Sequence, residues 1–317
     1  MTGPLRRPAE ELRAPPPNFG AGFGLATVLH QGEPRVVVLR GDHICPLSAV
    51  LGSPAPSTVR ALLGTWDVTC DAIADALVSP ELCWSSAAGA RFLVPIVDPP
   101  TIYCAGANYR DHVAEMGRDL GSETIPFHFL LPPSSTIGHG QPVALPAAAA
   151  AKLDWEVELV AVIGRLTDRV TPAQALAAVA GYTIANDVTV RDWGPSGRHP
   201  LFGHRWLERK GRATHLPIGP ALVPARFVSD PMSLALSLEV NRDVRQSSNT
   251  SEMIFSVAEQ IAHLSTLTPL LAGDHILTGT PAGTAAVHDR YLAAGDRMTA
   301  RIQCLGALAN EVRAADR

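Results

Sequence analysis

The chain has 317 residues, 46% of them hydrophobic and 18% charged, the make-up of a folded chain with apolar material for one large domain or two smaller ones. Its 26 basic against 30 acidic side chains leave a net charge of −4, which argues against a nucleic-acid or anionic-membrane partner. The 26 glycines and 27 prolines favour a strand-rich fold with many turns over a helical bundle.

Cys45, Cys70, Cys83, Cys104 and Cys304 are odd in number, widely spread and contain no Cys-x-x-Cys pair. A disulfide framework is therefore not expected, and a reducing, cytoplasmic compartment is. After Arg6-Arg7 the sequence lacks the apolar core of a signal peptide, and no apolar run approaches the roughly 20 residues that span a bilayer.

Residues 1–20 are rich in Pro, Arg and Glu and read as a mobile tail. Two apolar runs between Gly22 and Leu39, separated by His30-Gln31-Gly32-Glu33-Pro34, predict a β-hairpin with a longer loop. Short helices are expected over Ser57–Leu63 and Thr69–Leu77. Residues 21–98 thus form a small α+β domain, with a boundary at Pro99-Pro100, and 99–317 a second, larger one. In the latter, Leu234, Leu236, Leu238 and Val240 alternate with smaller or polar residues, as do Met298, Ala300, Ile302 and Cys304, each set predicting a strand with one buried face. Thr171-Pro172 opens a helix that Gly181 would close. Met253, Val257, Ile261 and Leu264 form the apolar stripe of another, over about Glu252–Ser265. The fold class is α+β and β-rich: a roll or sandwich with peripheral helices.

The densest chemical signal is the run Leu153-Asp154-Trp155-Glu156-Val157-Glu158-Leu159, continuing into Val-Ala-Val-Ile. As one strand it puts Asp154, Glu156 and Glu158 on one face, with the two glutamate Cα atoms about 6.6 Å apart. Two readings stand: a half-exposed strand with a wet polar face, or a buried pair of carboxylates that shares a proton or holds a metal. Asp187, at the end of an apolar strand, is a third carboxylate or simply part of an Asn-Asp turn. An all-oxygen set of this kind suits Mg²⁺, Mn²⁺ or Ca²⁺ and not Zn²⁺.

In Asn108-Tyr109-Arg110-Asp111-His112-Val113-Ala114-Glu115-Met116-Gly117, a helical turn ended by Gly117 would set His112 and Glu115 at i and i+3 on one face. That is either a surface ion pair or a general base oriented by its carboxylate. Thr278-Gly279-Thr280-Pro281-Ala282-Gly283-Thr284 is either a bare turn or a cradle of N–H groups and hydroxyls for an anion; it lacks the Gly-Lys-Ser/Thr of a phosphate loop. No strand runs into a Gly-x-Gly-x-x-Gly turn, so a dinucleotide enzyme is not expected.

Taken in order, NYRDHVAEMG, DWEVELVAVIG, GYTIANDVTVRD, a lysine ahead of HLPIGP, VRQSSNTSEMIFS and LLAGDHILTGTPAG resemble the fumarylacetoacetate hydrolase family over about residues 100–310. The resemblance implies a mixed β-sandwich roll, a homodimer, and a divalent cation, Mg²⁺ or Mn²⁺, held by Glu156, Glu158 and Asp187. It implies a water-activating dyad of His112 and Glu115, with Lys210 as the family's lysine. Thr280 would grip the substrate carboxylate, joined by Arg110 and Gln246 as substrate-binding candidates. The implied reaction is hydrolytic C–C cleavage of a 2,4-dioxo acid of the acylpyruvate type, giving pyruvate and a carboxylic acid. Decarboxylation of a β-keto acid, isomerisation or hydration of an unsaturated 2-oxo acid, and a non-catalytic binding role on the same fold are the alternatives. Two departures stand out. Leu131 occupies the place of a lysine found in many relatives, which points to a less charged substrate on that side, and Trp193-Gly194 follows Arg191-Asp192 where relatives often carry a glutamine.

Overall fold

A computed structural model describes residues 22–119, 124–146, 152–191, 198–199 and 203–315. The expected tail at 1–20 and the departure at Trp193-Gly194 lie outside the described residues.

The architecture is α+β and strand-rich, as expected. The larger sheet has twelve strands. Its centre runs in the order Gly24–His30, Leu216–Pro224, Val179–Asn186, Val157–Ile163, His275–Leu277, Ile102–Ala105 and His128–Leu131. A second sheet of five strands is built around the antiparallel set Ala235–Val240, Arg297–Ile302 and Gly306–Ala314. Strand Val157–Ile163 is buried on both faces. Val157, Leu159, Ala161 and Ile163 pack in one cluster with Leu236, Leu238, Met298 and Ala300 of the second sheet. Val160 and Val162 pack in another with Leu25, Val36, Leu62 and Ile73. An unbroken apolar run is what a strand needs when neither face meets water.

Leu25 pairs with Leu222, so the segment ahead of Pro99-Pro100 joins the sheet of the segment after it. The hairpin is tighter than expected. His30 pairs with Glu33, leaving only Gln31 and Gly32 in the turn, both at positive φ (52° and 84°). That geometry matches the twist of the flanking strands. The helix opened by Thr171 is a single turn, Pro172–Ala175, secured by a capping box between Thr171 and Gln174 and followed by one 3₁₀ turn. Gly181 does not close it: the residue lies inside strand Val179–Asn186, where a Cβ would collide with the Val223 carbonyl oxygen of the neighbouring strand. The helix Val257–Leu267 is capped by Ser256 with Glu259 and buries Val257, Ile261 and Leu264, three of the four expected stripe residues; Met253 is buried ahead of it. The strand read through Cys304 ends at Ile302, and Cys304 sits at φ 65° in the turn that follows. Among the described residues no helix is long and apolar enough to cross a membrane.

Candidate active site

The run 153–163 is two strands and not one. Leu153–Asp154 and Val157–Ile163 are separated at Trp155-Glu156. The break turns Glu156 toward the end of its neighbour: its N–H donates to Asn186 Oδ1 at 2.8 Å, and its carbonyl accepts the Asp187 N–H at 2.9 Å. Glu158 lies opposite Ala185 in the ladder, two residues before Asp187. Ligand atoms of Glu156, Glu158 and Asp187 thereby converge within 4.8 Å of one another, all three residues buried. The half-exposed strand is thus overturned by the burial of both its faces.

Two cations are built into the cluster. Lys210 Nζ donates to Glu156 Oε2 at 2.6 Å and to Asp187 Oδ2 at 2.5 Å. Arg191 bridges Asp154, at 2.7 Å, and Glu156. Arg191 and Asp154 are not among the site residues expected from sequence, although both lie within the motifs that supply the triad. Four buried carboxylates against these two cations leave two negative charges uncompensated. The carboxyl groups respond accordingly. Burial raises Glu156, but the positive fields of Lys210, Arg191 and His112 outweigh it and hold the group down to about 2. Burial, with Glu156 beside it, pushes Asp187 up to about 6 against the pull of Lys210. Burial and the Asp187 charge push Glu158 well above its ordinary range. A divalent cation supplies the missing charge, and Asp187 Oδ1 is a buried oxygen with no hydrogen-bond partner among the described residues. The oxygen-only donor set fits Mg²⁺ or Mn²⁺.

His112 and Glu115 lie on the helix Arg110–Glu115, which ends at Gly117 in a positive-φ turn, as the spacing predicts. Nδ1 of His112 is 3.1 Å from Glu115 Oε2, and Glu115 Oε1 accepts the Gly283 N–H at 2.8 Å. The TGTPAG turn therefore fixes the dyad. It also fixes a metal ligand, since the Gly279 N–H donates to Glu158 Oε2 at 2.8 Å. Gly279, at φ 95°, approaches Asn108 too closely for a side chain. Asn108 in turn donates to the Thr278 carbonyl at 2.8 Å and exchanges hydrogen bonds with Phe255.

A cavity of about 460 Å³ joins these groups. Glu156, Glu158, Arg191, Lys210, Thr280 and His112 line one part of it; Phe127, Phe129, Trp206, Ile125 and Met116 line another. Arg110 and Gln246 are not among its lining residues. Arg110 donates to the carbonyl oxygens of Ser251 and Met253. Gln246, 1% exposed, donates to Thr280 Oγ1 and the Pro281 carbonyl and accepts the Val157 N–H. Thr280 Oγ1 in turn donates to the Val157 carbonyl at 3.0 Å. Leu131 is also absent from the lining. It is 3% exposed in the core, and Phe129, two residues earlier on the same strand, faces the cavity instead.

Residues 101–313 match the fumarylacetoacetate (FAA) hydrolase C-terminal family. The chain is 37% identical over 261 residues to oxaloacetate tautomerase FAHD2B, mitochondrial, of Homo sapiens, covering 81% of this chain and 80% of that one. Among solved structures it is similar to maleylpyruvate hydrolase from Sphingobium sp. SYK-6 in complex with manganese(II) and pyruvate, at a TM-score of 0.76 and 28% identity over 92% of this chain and all of that one. It is likewise similar to fumarylpyruvate hydrolase from Pseudomonas aeruginosa in complex with Mn²⁺ and pyruvate, at 0.62 and 33%, covering 70% and 91% of the two chains. The chain is an enzyme of the fumarylacetoacetate hydrolase family, whose members act on keto acids.

Proposed function

We propose that the protein is a Mg²⁺- or Mn²⁺-dependent hydrolase that cleaves the C–C bond of an acylpyruvate, a 2,4-dioxo acid, to pyruvate and a carboxylic acid. The observation that carries this reading is the meeting, around one cavity, of Glu156, Glu158, Lys210 and His112, which line it, with Asp187 bonded to Lys210 and Glu115 to His112 behind them. Glu156, Glu158 and Asp187 would hold the cation; when bound, it supplies Lewis-acid stabilisation of negative charge on the substrate's carboxylate and 2-oxo oxygens. Glu115 orients His112 through Nδ1, which leaves Nε2 to take a proton from water as that water adds to the distal carbonyl. Lys210, buried and pushed above its ordinary range by the surrounding carboxylates despite burial, stays charged and stabilises the oxyanion. The C3–C4 bond then breaks with its electron pair on the pyruvate side, and the imidazolium returns its proton to that enolate carbon. Thr280 would anchor the substrate carboxylate through its main-chain N–H, since its hydroxyl donates to the Val157 carbonyl. Gln246 and Arg110 act by position, Gln246 holding Thr280 against Val157 and Arg110 holding the dyad helix against the 251–253 loop.

A second reading is keto–enol interconversion of a 2-oxo diacid such as oxaloacetate. The dyad favours it, since a His–Glu pair shuttles protons as readily as it activates water, and so does the likeness to the human oxaloacetate tautomerase. The cavity volume favours the first, because about 460 Å³ holds far more than a four-carbon diacid fills. With metal-stripped enzyme, loss of acylpyruvate enol absorbance that requires added Mg²⁺ or Mn²⁺ and yields pyruvate supports the hydrolase. Enol–keto relaxation of oxaloacetate with no acylpyruvate cleavage replaces it with the tautomerase, and release of CO₂ from oxaloacetate replaces it with the decarboxylase. We further propose a reducing compartment, the cytoplasm, in which the five free cysteines stay reduced, and, from the family resemblance, a homodimer, which light scattering on the purified protein reads directly.

A further inference from the structure

We propose that the cavity selects acylpyruvates whose acyl group is apolar and flat, an aroyl group above all, over those that end in a second carboxylate. The inference rests on the 2,4-dioxo-acid reading above and names its substrate class. The Phe129 and Trp206 rings are stacked, with centroids 4.3 Å apart and planes within 11°. Phe127 stands 5.9 Å from Trp206 and 6.4 Å from Phe129. This aromatic wall begins where the polar groups end: Lys210 Nζ lies 5.8 Å over the Phe129 ring and within hydrogen-bond reach of Glu156 and Asp187. A substrate whose carboxylate end lies at the triad therefore directs its acyl group toward the three rings.

The wall is apolar where apolar surface is costly. Phe127 is 50% exposed and Ile125 70%, and exposed apolar surface at a cavity mouth marks a place for a ligand. Rings held by stacking are already ordered, so a flat acyl group gains contact without the cost of fixing them. The opposite preference would need a cation for the second carboxylate. Arg209 lines the cavity, tied to its wall by Nε, which donates to the Val190 carbonyl at 3.2 Å; its charge favours a second carboxylate, against three aromatic rings. Arg118 also lines it, on the exposed rim, where an ion pair in water contributes little.

The test compares kcat/KM for benzoylpyruvate, acetylpyruvate and fumarylpyruvate on the Mn²⁺-loaded enzyme. Benzoylpyruvate is expected to lead fumarylpyruvate by about tenfold or more, and Trp206→Ala and Phe127→Ala each to shrink the benzoyl-to-acetyl ratio by about tenfold, chiefly through KM. A lead for fumarylpyruvate overturns the proposal, whether or not Arg118→Leu or Arg209→Leu abolishes it, as does a benzoyl-to-acetyl ratio that neither aromatic variant moves. Calorimetric binding of 2-oxo-4-phenylbutanoate against 2-oxoglutarate, neither of which has a cleavable 4-oxo group, separates this inference from the hydrolase reading. Tighter binding of the phenyl acid, lost in Trp206→Ala, upholds the wall even if no acylpyruvate is cleaved; equal or weaker binding of the phenyl acid sinks it.

Discussion

Glu115 holds the imidazole of His112 with one carboxylate oxygen, 3.1 Å from Nδ1, while its other oxygen takes the Gly283 N–H at 2.8 Å. The carboxylate cannot swing away from the histidine without breaking its tie to the turn. Glu115→Gln keeps a hydrogen-bonding group of the same shape but removes the charge that stabilises an imidazolium. We expect it to lower kcat by about 10²–10⁴-fold, and His112→Ala to do at least as much. Neither should impair Mn²⁺ binding in calorimetry, because neither residue belongs to the acidic triad. A His112→Ala enzyme with full activity would remove the dyad from the mechanism.

The charge imbalance around the triad sets the next expectation. Replacing Glu158 by Gln removes a ligand while preserving its acceptor oxygen for the Gly279 N–H, 2.8 Å away. Mn²⁺ affinity should fall at least a hundredfold, and activity with it. In the unaltered protein, metal at a hundred times its Kd should stabilise the fold by about 2.7 kcal/mol, seen as a Tm increase that chelation reverses. Glu158→Gln should show no such increase.

Arg191 carries a different load. It pairs with Asp154 and Glu156, both buried, and Asp154 also accepts the Ala285 N–H. Arg191→Met leaves a buried carboxylate without its cation, and urea unfolding should report a loss of about 3–5 kcal/mol. The double variant Arg191→Met/Asp154→Asn should recover part of it. No recovery would mean that the loss comes from Glu156 alone.

The sequence exposes the triad because its carboxylates fall on strands with strong apolar patterning, and the dyad because its spacing is local. The roles of Arg191 and Trp206 are set by long-range geometry, and no spacing within one segment announces them. The strand over 153–163 reads as continuous because side-chain alternation persists through Trp155-Glu156; what interrupts it is a bond from the Asn186 side chain, thirty residues away. Gly181 misleads for a related reason. Glycine after a helix usually ends it, whereas here glycine is required by the approach of Val223 from the next strand. Gly181→Ala should therefore cost about 1–3 kcal/mol by urea unfolding, whereas the same change at a glycine free of contacts and at negative φ would stabilise the fold.

Acid should weaken the fold through its buried imidazoles. His215 and His275 are each 1% exposed, and burial lowers both from 6.5 to about 4. Burial in a strand paired on both sides keeps the His275 ring neutral in the native state, outweighing the bond that Nδ1 donates to the Gly273 carbonyl at 2.8 Å, which favours the charged form. The unfolded chain takes up a proton on each histidine as pH falls through 6.5, while the folded chain does so only near 4. The unfolded state therefore binds more protons across that window. The stability that each neutral ring contributes is full above pH 6.5 and is lost as pH falls toward 4. Between pH 7 and pH 5 the loss is about 2 kcal/mol per histidine. His275→Asn retains a donor for Gly273 and removes the titrating ring, so urea unfolding of this variant, with chelator present, should show a shallower decline over pH 7 to 5 than the unaltered protein. Identical slopes would assign the acid sensitivity to other groups.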